Sequence, residues 1–149
     1  MQSILEMAGS FRVGPHLLAM TIAYILALPI GWNREKEERS AGLRTFPLVA
    51  LATCGIVQAT EGLLAGHPDG MARIIEGLMT GMGFIGGGAI LKTDNRVHGT
   101  ATAASLWATG ATGAAVGLGA YDVAVVISVF TFLTLWMLAP LKQEAKKAD

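Results

Sequence analysis

Glu76 is an acid inside an apolar run, and Arg73 precedes it by three residues on the same helical face. Such a pair has two readings. It is an interfacial ion pair worth roughly a few tenths of a kcal/mol, or it marks a proton or cation site at an outer vestibule, since acids within apolar spans are functional candidates. Arg44 stands at the edge of a second apolar run, just before Phe46-Pro47. It either snorkels to phospholipid headgroups or binds an anion or a partner carboxylate. Arg34, Asp94, Arg96 and Thr102 complete the candidate polar set. Lys36, Glu37 and Glu38 read as a solvated loop.

Other chemistries find no support in the pattern. Magnesium takes oxygen ligands in octahedral geometry, and no apolar span holds two carboxylates. Glu61, Asp69 and Asp122 fall near span ends and would attract only hydrated cations. His16, His67 and His98 are scattered without ligand spacing, so no metal site is expected. No grouping of serine, histidine and acid offers an activated nucleophile, so no enzyme and no cofactor are expected. Cys54 is the single cysteine, which excludes an intrachain disulfide and a cysteine metal cluster and leaves a small packing residue. Gly81-Met-Gly83-Phe-Ile-Gly86 matches the dinucleotide fingerprint literally. That fingerprint needs a preceding strand in a soluble alternating fold, and an apolar run precedes it here.

The elements that carry these residues are apolar. Of 149 residues 52% are hydrophobic and only 15% charged, with mean hydropathy +0.52. Soluble domains carry about 25% charge. Zero net charge supplies no basic face for nucleic acid. Five apolar stretches run approximately over 14–32, 46–64, 74–91, 100–119 and 123–139. Each approaches the roughly 17–25 residues that cross a bilayer core. Glycine at this density would break a helix in water, but in lipid it permits close helix approach. Gly77, Gly81, Gly83, Gly86, Gly87, Gly88, Gly99, Gly113 and Gly117 are read as packing positions. Trp107 is expected to fill the space that its small neighbours leave. The alternative for Gly86-Gly87-Gly88 is an unwound segment that lends carbonyls to a solute.

Charge sets the orientation. Arg34, Lys36, Arg39 and Arg44, then Lys92 and Arg96, then Lys142, Lys146 and Lys147 share one side, and Arg12 and Arg73 the other. The positive-inside rule places the N-terminus outside and the C-terminus in the cytoplasm. Thr45 is expected to cap the second span, with Pro47 in its first turn. A shift of 57 residues lays Gly31, Arg39, Gly42 and Thr45 on Gly88, Arg96, Gly99 and Thr102. This echo points to two parallel helix hairpins plus a fifth helix.

Three segments together resemble the MgtC/SapB family of bacterial inner-membrane proteins. They are Arg34 with Arg39-Ser-Ala-Gly-Leu-Arg44-Thr45, Arg73-Ile74 with Gly81-Met-Gly-Phe-Ile-Gly-Gly-Gly-Ala-Ile90, and His98-Gly99 with Thr102-Ala-Ala-Ser-Leu-Trp107. The resemblance implies a multi-span inner-membrane protein linked to growth in low magnesium and, in pathogens, to virulence inside macrophages. It implies regulation of other membrane proteins, with transport as the older suggestion. Asn33 stands where the family commonly has an acid, and Ala101 where it has a polar residue. The expected architecture is an all-α integral membrane protein with about five transmembrane helices. It comprises a transmembrane domain over 1–141 and a short charged cytoplasmic tail over 142–149. The expected function is non-enzymatic regulation of membrane proteins or ion homeostasis. The alternative is a small oligomeric transporter or channel. Expected partners are the lipid bilayer, other membrane proteins and further copies in a homo-oligomer.

Overall fold

The computed structural model describes residues 13–36, 41–93 and 96–139. The expected tail over 142–149, Asp94 and Arg39 lie outside the described residues. Among the described residues five helices follow in order: α1 (Val13–Lys36), α2 (Thr45–Glu61), α3 (Pro68–Gly88), α4 (Thr100–Gly117) and α5 (Tyr121–Met137). They stand where the five apolar stretches were read. By length and composition α1 is long and apolar enough to cross a membrane, while α5 is apolar but shorter.

Two local expectations change, and one alternative is set aside. Lys92–Gly99 reads as a polar loop, yet β1 (Leu91–Thr93) and β2 (Arg96–His98) pair antiparallel, with Leu91 opposite His98 and Lys92 opposite Val97. Two residues separate the strands, the length that hairpins favour. Thr45 does not cap α2. It is the first helical residue, the cap is Arg44, and no side chain bonds there. The turn before it already winds helically, so the Thr45 and Phe46 N–H groups donate to the Gly42 carbonyl at 3.0 and 3.1 Å. Gly86-Gly87-Gly88 does not unwind, for α3 runs through Gly88 and closes with Ala89 N–H on Gly86 O.

The α4–α5 connection is a Schellman turn. Gly119 takes φ 78°, Ala120 N–H donates to Ala115 O at 2.9 Å, and Gly119 N–H donates to Val116 O at 3.0 Å. The turn reverses the chain in three residues, which is why Ala120 follows α4 so closely.

Helix α4 is the centre, in contact with all four others, and its largest contact is with α2. Small residues make that contact close. A Cβ at Gly113 would overlap Thr53 Oγ1 and the Ala50 carbonyl, and one at Gly117 would lie 2.7 Å from Val57 Cβ. Ala19, Ala23, Ala27 and Ile30 of α1 and Phe46, Ala50 and Cys54 of α2 form the adjoining core. Helix α5 packs on α1 and α4, and Ser128 Oγ donates to the Leu26 carbonyl of α1 at 2.7 Å. Helix α3 leans on α4 and touches α2 only lightly.

Candidate functional site

Polar side chains inside the bundle are turned back on their own helices. Ser105 Oγ donates to Thr102 O at 3.0 Å, Thr109 Oγ1 to Ser105 O at 2.8 Å, and Thr112 Oγ1 to Ala108 O at 3.0 Å. Thr53 Oγ1 lies 3.0 Å from Val49 O and 3.1 Å from Ala50 O. Such back-bonding hides a hydroxyl where water is absent. Among the described side chains, the buried polar atom left without a partner is Gln58 Oε1.

At the Lys36 end of the bundle the charged residues are organised. Arg34 is 4% exposed, and its Nε and Nη2 donate to Asn33 Oδ1 at 3.2 and 2.6 Å. Glu35 reaches across the turn, its Oε2 accepting from Leu43 N–H at 3.0 Å. A carboxylate beside the start of α2 has the sign that a helix N-terminus favours. Gly42 allows this approach, for a Cβ there would overlap the Glu35 carboxylate.

A groove of about 840 Å³ runs between α2 and α3. Its walls are apolar, with Leu48, Val49 and Ile56 facing Ile74, Leu78 and Ile85. Arg44 lines it at the start of α2 and Arg73 near the start of α3, so a cation stands toward each end. A smaller cavity of about 480 Å³ lies among the residues that join α2 to α3, and Arg73 lines it too.

The remaining candidates are dispersed. Glu76 is exposed on α3, and its carbonyl accepts from Thr80 Oγ1 at 2.9 Å. Arg96 opens β2 opposite Thr93. Thr102 is 2% exposed within α4. Trp107 is 48% exposed on α4 and so does not fill an interior space. Gly77, Gly81, Gly83, Gly87 and Gly88 have open space where a Cβ would stand. A Cβ at Gly86 would lie 3.3 Å from the Ala103 carbonyl oxygen, and Gly99 has φ 90° with no room for one beside the Ala89 carbonyl. Sequence reasoning passed over Ser128, Thr53 and Gly110, and it read Gly31 only as part of the 57-residue echo. A Cβ at Gly110 would overlap Met82 of α3, and one at Gly31 would lie 3.2 Å from Leu43 Cα. The small-residue run around Gly110 was the available signal. Nothing local marked Ser128, whose acceptor is 102 residues away.

Comparison with known proteins matches residues 20–144 to the MgtC family. Protein SrpB of Synechococcus elongatus is 38% identical over 138 residues, covering 85% of this chain and 72% of that protein. An uncharacterized protein of Synechocystis is 37% identical over 125 residues, covering 84% of this chain and 53% of its own. Protein MgtC of Salmonella typhimurium is 33% identical over 115 residues, covering 77% of this chain and 48% of its own. The chain thus spans about half the length of two of these three relatives. No solved structure matches it.

Proposed function

The chain belongs to the MgtC family, and from that premise we propose that it is a multi-pass inner-membrane protein that regulates other membrane proteins or ion homeostasis in low magnesium. In this reading it makes no and breaks no covalent bond in a substrate. Its N-terminus is outside, its C-terminus is cytoplasmic, and its working surfaces are helix faces.

The observation that carries the regulatory reading is the closed α2–α4 contact. Gly113 and Gly117 bring the backbones together, and the hydroxyls beside them are bonded within their own helices. A permeating cation needs a line of accessible oxygens to replace its water. Carbonyls and hydroxyls already engaged with each other make a poor one. The groove, by contrast, is open, apolar and bracketed by arginines, which suits recognition of something already in the bilayer.

A transporter remains the second reading because Glu76 is an exposed acid on a glycine-rich helix. Ion flux into liposomes that contain only this protein separates the two. The regulatory reading expects flux no greater than in empty liposomes. Flux that Glu76→Gln abolishes would replace it with transport.

A further inference from the structure

Displacement by 57 residues carries α1 to 70–93 and α2 to 102–118, close to α3 at Pro68–Gly88 and α4 at Thr100–Gly117. The second helices of the two hairpins, α2 and α4, meet at the centre, as a local two-fold relation requires. Helix α5 stands outside the repeat and fills a seat against α1 and α4. Exchanging the hairpins turns α1 into α3 and α4 into α2. The seat of α5 therefore has a counterpart between α3 and α2. That counterpart is the open 840 Å³ groove.

We propose that this groove receives α5 from a second copy of the chain, which makes the α2–α3 face the acceptor of a head-to-tail contact. The inference rests on the membrane reading above. Within its own chain α5 buries Ala124, Ser128 and Leu135. At 3.6 residues per turn the opposite face carries Asp122, Val126, Phe130 and Leu133, all of them exposed. Among the described residues each chain thus has one filled seat, one empty seat and one free α5 face. The repeat relates parallel hairpins, so a copy with the same orientation in the bilayer presents α5 in the correct sense.

Depth and charge agree. Ser128 bonds at Leu26, and the counterpart of Leu26 is Gly83. Setting Ser128 level with Gly83 brings Val126 level with Gly81. It leaves Asp122 about 6 Å from the level of Arg73 at 1.5 Å per residue, a gap that an arginine side chain covers. At the other end Arg44 meets the last turn of α5, where the carbonyl end of a helix favours a cation. A phospholipid would satisfy the apolar walls with its tail and one arginine with its headgroup phosphate, but offers nothing to the other arginine. A heterologous contact of this kind forms a ring when its rotation closes.

Two differently tagged copies coexpressed in native membranes test the proposal, one with Gly81→Cys and the other with Val126→Cys. Cys54 is buried and offers no competing thiol. Mild oxidation should link the two tags, whereas two copies of Gly81→Cys should give no link. Asp122→Arg and Arg73→Asp should each lower the linked fraction by roughly tenfold, as paired interfacial charges do, at unchanged membrane abundance. Arg73→Asp in the Gly81→Cys copy together with Asp122→Arg in the Val126→Cys copy should restore it. A membrane-embedded chain that forms no Gly81–Val126 link would overturn the proposal and leave the membrane reading intact. Links between two Gly81 positions, or a single chain carrying only bound phospholipid, would overturn it as well. Recovery of the chain from the soluble fraction would remove both readings.

Discussion

Arg44 has the wrong sign for its place. It is the N-cap of α2, where a cation opposes the helix dipole by roughly 0.3–1 kcal/mol, so helix stability does not account for its charge. It lines the groove with its side chain exposed. Arg44→Lys keeps that charge but loses the planar fork that grips a carboxylate, phosphate or carbonyl pair. It should fail to complement growth in low magnesium at normal membrane abundance. Lys36 sits 5.2 Å from the Trp32 ring centroid. An exposed contact of that kind is worth about 0.5–1 kcal/mol, so Lys36→Ala should complement nearly fully. Full complementation by Arg44→Lys, or equal loss in Lys36→Ala, would leave Arg44 only a topological charge. The placement of Arg44 at an apolar edge was legible in the sequence. The burial of Arg34 was not, because Trp32 and Lys36 beside it are exposed and only packing decides which residue of a turn faces inward.

At the scale of elements, the glycines divide by what faces them. Gly113→Ala should destabilise the protein by about 1–3 kcal/mol, because the added carbon meets the Ala50 carbonyl and Thr53 and the backbones must part. Gly83→Ala should be neutral or stabilising by roughly 0.5–1 kcal/mol, since space is open and alanine is the better helix former. Thermal denaturation in detergent compares them. Equal loss in both would place Gly83 in a contact made outside the single chain. The sequence reads Gly83 as a packing position. Within one chain it faces open space, whereas Gly119, absent from that set, holds a left-handed turn at φ 78°. Glycine spacing announces that helices approach closely, but it does not say which neighbour arrives. The hairpin of β1 and β2 escaped notice for another reason, since three-residue strands are too short to show alternation.

At the scale of the molecule, the arrangement carries a topology. A reporter fused after Asp149 should be cytoplasmic, and one between Ala65 and Gly70 should be outside. Finding both on one side would overturn the five-span reading. The helix count was legible because hydrophobic stretches, glycine turns and basic loops alternate along the chain. The 57-residue echo carried more than its four matched residues, since it also matches α2 to α4 within two residues at each end. The splay of α3 away from α2 could not be read, because it depends on which helix occupies each seat.

The central place of α4 also imposes an order on assembly. Synthesis delivers it fourth, after α1 and α2, which pack on each other. Helix α3 has few contacts except with α4, so it has little to lean on until the next helix emerges. The first hairpin is therefore self-sufficient early, while the second is a debutant that waits for its own second half.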